Sequence, residues 1–203
     1  MVGCTPHRCA SLGAGPTPGL VSADRRRAAS GYGARMAFKE EQCQAWVAEH
    51  APGEHLVSHL VTQTWAPQNT HAAGMNTNMR FSGAEIVNDK AAELGLAEEN
   101  KVGQFQEKTF LALTQGRILY GSRNWRDRPK KLLHAAPASD FAIHWVDEDY
   151  GAGTLLRHLL LDFGGGAWRT DRVGLRAMKQ DVAKKHNVEP FFTALGGRAH
   201  QID

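Results

Sequence analysis

The sequence predicts an α+β fold in which antiparallel strands form a curved sheet, and a C-terminal amphipathic helix covers its open end. From residue 108 onward, short runs of β-branched, aromatic and aliphatic residues alternate with glycine turns. Three other stretches carry apolar residues at helical spacing. The 203 residues are 42% hydrophobic and 22% charged, which is typical of a globular chain and excludes a mostly disordered one. No run approaches the ~20 apolar residues of a membrane-spanning helix.

The first 35 residues differ from the rest of the chain. They are rich in Gly, Ala, Ser, Pro and Arg, and five arginines against Asp24 give them a net charge of +4. Because they lack hydrophobic periodicity, we predict a disordered leader. The alternatives are an organellar transit peptide and a translation start at Met36, where a helical pattern begins. No secretory signal is recognisable, so we expect a cytoplasmic protein.

The remaining residues, 36–203, are expected to form a single domain, because no linker or repeat divides them. The charge of the leader leaves them with a net charge of −1 against +3 for the whole chain. The excess positive charge therefore gives no reason to expect nucleic-acid binding by the folded body. With only three cysteines in the chain, the sequence predicts neither a disulfide scaffold nor a structural zinc site.

Three helices are predicted. The first covers 37–50 and ends at Pro52-Gly53. The second covers 83–94, because Ser82 and Glu85 have the spacing of a capping box, and it is inserted after the first strand. The third covers 174–186, where apolar residues recur along one side. Phe191 and Phe192 in the tail beyond it are expected to dock on the body.

The strands are predicted from alternation and from turn residues. A polar segment without periodicity, 67–78, is predicted as a loop, and so is 122–131. Gln115-Gly116 fits a two-residue hairpin turn, since glycine tolerates positive φ. The predicted strands are 55–65, 108–114, 117–120, 141–146, 154–163 and 167–170.

Three stretches resemble bacterial pleckstrin-homology-like (PH-like) domains: the hairpin 109–121 (TFLALTQGRILYG), the glycine-interrupted strands around LLLDFGGGAW, and the predicted helix GLRAMKQDVAKKH. In that family a hydrophobic strand ending in Thr leads through a tight turn to Arg, an apolar strand and Gly. The residues that match are Leu113, Thr114, Gly116, Arg117, Ile118, Leu119 and Gly121. The resemblance covers about 105–188 and, less closely, 54–66. The helical insertion after the first strand departs from the simplest form of the family.

The resemblance implies a bent, seven-stranded antiparallel barrel or split barrel that one helix caps. It also implies a non-enzymatic module without a cofactor, which binds a lipid head group, a peptide or a partner protein. Fold analogy does not choose among these ligands.

The strongest local feature lies in the predicted loop after the hairpin. It holds five cations and one acid within nine residues, beside a tryptophan. Arginine suits bidentate anion contacts, and tryptophan suits a lipid interface. The candidate ligand-binding residues, for an anionic lipid or an acidic protein, are Arg123, Trp125, Arg126, Arg128, Lys130 and Lys131. The alternative is a solvated loop whose Trp125 packs back on the sheet, and Arg169 and Arg172 are possible extensions of the surface.

No catalytic motif is present, and we predict neither catalytic residues nor a metal site. The alternative function is a small enzyme that uses histidines in a sheet cavity. Its candidate residues are His55, His59, His144 and His158. Asp162-Phe163-Gly164 and the glycines that follow lack the context of a kinase or dinucleotide site, and predict a bend. Cys43 is predicted to be a buried small apolar residue.

Overall fold

The described residues fold around one large, mostly antiparallel sheet. The computed structural model describes residues 38–64, 82–103, 108–178 and 180–203, within the unit Met36–Asp203. The strands are β1 (Leu56–Thr64), β2 (Lys108–Thr114), β3 (Arg117–Arg123), β4 (Pro129–Pro137), β5 (Ala142–Gly151), β6 (Thr154–Asp162), β7 (Trp168–Ala177), β8 (Gln180–Asp181) and β9 (Ala199–Gln201). The helices are α1 (Glu40–His50), α2 (Ser82–Glu93), α3 (Ala183–His186) and α4 (Val188–Leu195), with 3-10 turns at Glu98–Asn100 and Gly196–Arg198. The predicted leader 1–35 and loop 67–78 lie outside the described residues.

The strand order is β4-β3-β2-β1-β7-β6-β5-β9, with β8 paired to β7. Two antiparallel meanders, one of four strands and one of three, meet where β1 pairs with β7. Among the described residues that junction has two residue pairs, Gln63 with Arg172 and Thr64 with Asp171. In the described part of the chain β4 and β5 do not pair, so the sheet stays open. The α+β class is confirmed.

The sheet is strongly curved. In a flat sheet the three steps from β3 to β7 would cover about 14 Å. Yet the Tyr120 hydroxyl of β3 lies 3.0 Å from Asp171 Oδ1 on β7, and the Tyr120 and Phe163 rings are 5.5 Å apart. The inner faces of the two meanders therefore share one core. Its fully buried members include Leu60, Leu111, Ile118, Tyr120, Phe141, Ile143, Leu159, Leu161, Phe163 and Phe191.

Helices α1 and α2 cover the outer face of the sheet at opposite ends. The predicted first helix is confirmed, and it buries Cys43, Trp46 and Val47 against β2 and β3. Burial raises the pKa of Cys43 to about 12, with a smaller contribution from Glu40. The Cys43 thiol is thus protonated and packed. The second helix is confirmed as α2, which packs on β5 and β6.

Gly121 of β3 makes the close approach of α1 possible. A Cβ there would lie 2.5 Å from Phe110 Cε1 and 3.1 Å from Trp46 Cη2. Because both rings are buried and in edge contact at 4.9 Å, they have little room to move. We expect Gly121→Ala to lower the free energy of unfolding by about 1–3 kcal/mol, as overpacked cores do. Denaturant unfolding would measure it, with Gly197→Ala as control, since a Cβ there meets nothing within 4 Å. Equal stability of the two variants would contradict the packing argument.

The predicted helix 174–186 is wrong over most of its length. Strand β7 continues through Ala177, and Met178 then takes φ +46° in the turn to β8. The apolar spacing there also fits a strand followed by a turn. Within the described residues of this range, helix is confined to the last turn, α3, and the longer helix α4 follows it. The predicted docking of the tail is confirmed, because Phe191 is fully buried in the core and Phe192 packs against it.

The predicted loop 122–131 is only partly right. Strand β3 runs to Arg123 and β4 begins at Pro129, so only 124–128 form the connection. Alternation failed to reveal β4, which lies at the end of the sheet. Its side chains are mostly polar or half-exposed, and Pro129 and Pro137 stand at its two ends, as edge strands tolerate. No helix in the described residues has the length and apolar character needed to cross a membrane.

Candidate functional site

The β3–β4 turn, residues 124–128, is fixed by hydrogen bonds within itself. Asn124 Oδ1 accepts from the backbone N–H groups of Arg126 (2.9 Å) and Arg128 (3.2 Å). The Asn124 N–H donates to the Arg128 carbonyl, and the Asp127 N–H to the Asn124 carbonyl, each at 3.0 Å. Asp127 adopts φ +56°, a left-handed conformation that aspartate tolerates better than most residues. The turn therefore presents its outward side chains from a defined backbone.

Trp125 stands at the tip of this turn and is 69% exposed. The alternative in which its indole packs back on the sheet is thus wrong. The Arg126 guanidinium lies 4.4 Å from the centroid of the indole ring, in cation–π contact. An exposed, preorganised indole with a cation on its face is the most unusual feature of this end of the molecule.

The other candidate residues divide into two groups. Arg126, Arg128, Lys130 and Lys131 are exposed. The Arg123 side chain is only 7% exposed. The structure thus brings four of the five predicted cations to the surface with Trp125 and places the fifth in the scaffold.

The Arg123 side chain links three segments of the chain. Its guanidinium donates to the Thr109 carbonyl (2.9 Å), the Thr62 carbonyl (2.7 Å) and Asp127 Oδ1 (2.7 Å). Burial lowers the pKa of Arg123 below its usual value, while Asp127 and Asp171 raise it. Arg123 therefore links the turn to β1 and β2.

A groove opens on the outer face where β1 and β7 diverge. We call it the β1–β7 groove, and its volume is about 370 Å³. Strands β6 and β7, the end of β1 and helix α3 form its walls. Its lining residues are Val61, Thr62, Gln63, Arg123, Thr154, Leu156, Arg172, Val173, Gly174, Arg176, Ala177, Val182, Lys185 and His186. Sequence reasoning did not find this groove, because its lining residues come from separate elements that only the fold brings together.

Arg169 and Arg172 are three positions apart on β7, and so they face opposite sides of the sheet. Arg172 lines the β1–β7 groove, whereas Arg169 is 2% exposed on the inner face, where its register partner is Leu161. Only Arg172 extends the cationic surface.

A buried carboxylate lies beneath the junction of the meanders. Asp171 Oδ2 accepts hydrogen bonds from the Thr62 (2.6 Å) and Thr109 (2.8 Å) hydroxyls, and Tyr120 donates from β3. Burial raises the pKa of Asp171 to about 6, although these hydrogen bonds and Arg169 act in the opposite direction. Among the described residues this network joins strands β1, β2, β3 and β7, and its role is to hold them together.

The histidines of the enzyme hypothesis lie in different surroundings. His55 precedes β1 and is exposed, while the His59 ring packs 5.2 Å from Phe38. His144 stacks at 5.1 Å on His200. In the part of the chain that the structure describes, no group of three or more His, Cys, Asp or Glu side chains is arranged to hold a metal ion.

His158 is the most buried of these histidines. Its Nε2 lies 2.9 Å from Glu148 Oε2 and 3.1 Å from the Tyr150 hydroxyl. Burial lowers the pKa of His158, while Glu148 raises it. With 1% of its side chain exposed, His158 has no access to a substrate, and this cluster supports the packing of α2, whose Gly83 N–H donates to Glu148.

Comparisons with protein-family models, with curated proteins and with solved structures found no match to this chain. The functional argument therefore depends on the geometry of the turn and the groove.

Proposed function

We propose that residues 36–203 form a non-enzymatic, PH-like binding module whose β3–β4 turn binds an anionic lipid surface. Two features support the PH-like assignment. Seven strands form meanders of four (β1–β4) and three (β5–β7). Helix α4 then packs into their shared core, through Phe191 and Leu195. The resemblance in the sequence implies this combination of seven strands and one closing helix.

The exposure of Trp125 on a fixed cationic turn carries the functional proposal. An indole has an apolar body and a polar N–H, which suits the boundary between lipid chains and head groups. The four exposed cations beside it would each contribute about 1 kcal/mol near an anionic membrane surface. An acidic protein would meet the same cations, but the exposed indole favours the lipid interface.

The acidic residue of the turn does not cancel this charge. Asp127 Oδ1 is 2.7 Å from Arg123 and 3.3 Å from Lys108. Because these two cations already neutralise the carboxylate, the exposed cations of the turn keep their positive potential.

Vesicle binding of the full chain tests the proposal. Arg126, Arg128, Lys130 and Lys131 are replaced by alanine, and co-sedimentation is measured with phosphatidylcholine vesicles that contain or lack phosphatidylserine, at low and moderate salt. We expect the wild type to bind only the anionic vesicles and to bind them less at higher salt. The four-alanine variant should bind at least tenfold more weakly, because four attractive charges are lost.

The leader carries +4 in both proteins, so any difference between them arises from the turn. Trp125→Ala should also weaken binding, whereas Met178→Ala, which removes another side chain that is 83% exposed, should not. Binding of the four-alanine variant equal to the wild type would overturn the proposal. If an acidic protein competes with vesicles and Trp125→Ala has no effect, the partner is a protein.

A further inference from the structure

The β1–β7 groove combines concave shape with an excess of positive charge. Four fixed cations line it: Arg123, Arg172, Arg176 and Lys185. Among the described residues, no Asp or Glu lines it. A cleft of one sign of charge concentrates counter-ions. The geometry thus favours an anion over a neutral or cationic ligand.

An adjoining recess of about 170 Å³ shares Arg123, Lys185 and His186 with the groove and adds Lys108 and Asp127. Asp127 is the one carboxylate among the described residues that line the recess, and Arg123 and Lys108 already hold it. The recess therefore brings no free negative charge to the groove.

Two of the groove cations are available for a ligand. Within the described part of the chain, Arg172 and Lys185 donate no hydrogen bond and form no salt bridge. Arg176 faces Asp149 at 3.8 Å, and both side chains are about half exposed, so that pair is weak. Arg123 donates its hydrogen bonds to backbone carbonyls, and it therefore contributes its positive charge to the groove without being free to bind. An arginine fork and an ammonium group that line the same cleft suit a phosphate group, which accepts bidentate hydrogen bonds and carries close to two charges.

The walls of the groove are held in place without a ligand. His186 donates from Nδ1 to the Gly174 carbonyl (2.9 Å), which fixes α3 on β7. Asn187, at φ +58°, donates to the His59 carbonyl (2.7 Å), which fixes the α3–α4 connection on β1. A preformed cleft loses less free energy of ordering on binding.

We propose that the β1–β7 groove is a second binding site, which takes a compact phosphate-bearing ligand through Arg172 and Lys185. Its volume is near the lower end of small-molecule pockets, which span about 300–1,000 Å³. This size fits a small phosphate ester or the phosphate of a lipid head group. The site is separate from the exposed cations of the β3–β4 turn and does not depend on their function.

Calorimetric titration of the full chain with inorganic pyrophosphate tests the site. We expect saturable binding by the wild type and at least tenfold weaker binding by the variant Arg172→Gln/Lys185→Gln. Lys184→Gln is the matched control, because Lys184 is an exposed neighbour on α3 that does not line the groove. The control and the four-alanine turn variant should bind pyrophosphate like the wild type. If the double variant does not fold, the single variant Lys185→Gln replaces it, because this substitution changes an exposed side chain. Lys185→Gln should still weaken pyrophosphate binding at least threefold.

A second arm identifies the source of the phosphate, with phosphatidylcholine vesicles that contain phosphatidic acid. Both proteins compared in this arm carry the four-alanine turn substitutions, because the turn itself is proposed to bind anionic vesicles. Loss of both pyrophosphate and vesicle binding in the double variant supports the site and a lipid head group. Loss of pyrophosphate binding alone supports the site and a soluble phosphate ester. No pyrophosphate binding by the wild type, or equal binding by the wild type and the double variant, overturns the proposal whatever the turn variant does.

Discussion

Replacing Phe191 by alanine is expected to lower the free energy of unfolding by about 3–5 kcal/mol, the usual cost of truncating a buried aromatic residue. Phe191 is fully buried in the main core, in the helix that packs between the two meanders. The cavity would open in the core that the two meanders share, where no polar group replaces the lost apolar contacts. Urea unfolding followed by tryptophan fluorescence would measure the change.

The neighbouring Phe192 provides the control for this substitution. Its ring is half-buried and lies in edge contact with Trp145, 6.0 Å between centroids, and 4.9 Å from the Arg157 guanidinium. We expect Phe192→Ala to lower the free energy of unfolding clearly less, because part of the Phe192 ring is already exposed to water. A loss for Phe191→Ala no greater than that for Phe192→Ala would show that α4 does not stabilise the core.

The stability contributed by Asp171 is expected to decrease as pH rises from about 4 to 6. The pKa of Asp171 is about 6 in the folded protein against an ordinary value of 3.8. In this interval the folded state holds a proton that the unfolded chain has released, so raising the pH favours the unfolded chain. The contribution of Asp171 to the free energy of unfolding is fully present below about pH 4 and is lost above about pH 6. Two pKa units correspond to about 3 kcal/mol.

The measurement compares unfolding of the wild type and Asp171→Asn between pH 4 and 7. The amide does not titrate, and the histidines, whose lowered pKa values act in the opposite direction, contribute equally to both proteins. We therefore expect the stability of the wild type relative to the variant to fall by about 3 kcal/mol across the interval. Asp89→Asn, at an exposed position on α2, is the control. A difference in stability between wild type and Asp171→Asn that does not change with pH would contradict the raised pKa of Asp171.

Local patterns predicted the elements that depend on local sequence. Helix α1 follows from its apolar stripe and its glycine stop, and the β2–β3 hairpin from Gln115-Gly116. The C-terminal helix was misplaced, because the apolar residues between 174 and 186 satisfy a strand with a turn as well as a helix. Strand β4 was missed because the end of a sheet needs no regular apolar alternation.

The candidate site could be predicted only in part, for a related reason. The nine residues from Arg123 to Lys131 are contiguous, so their charge was visible in the sequence, but the orientation of Trp125 and the burial of Arg123 depend on tertiary contacts. The groove unites Arg172 and Lys185 with residues of β1 and β3 that lie far away in the chain. The groove exists because β1 and β7 diverge, and no local sequence pattern predicts that divergence.

The junction between β1 and β7 also bears on the order in which the chain folds. Thr62 and Asp171, which bond across it, are 109 positions apart, whereas most strand pairs within the meanders are joined by short turns. Hairpins with short loops close within microseconds, and contacts between distant positions must first overcome the entropy of a long loop. The segments β2–β3–β4 and β5–β6–β7, whose strands are joined by short turns, are thus expected to form early and separately, whereas β1 is joined to β2 by a long connection. The β1–β7 junction, which has two residue pairs in the described part of the chain and a buried hydroxyl–carboxylate network, would then form late, and it sets the largest entropic barrier of the folding reaction.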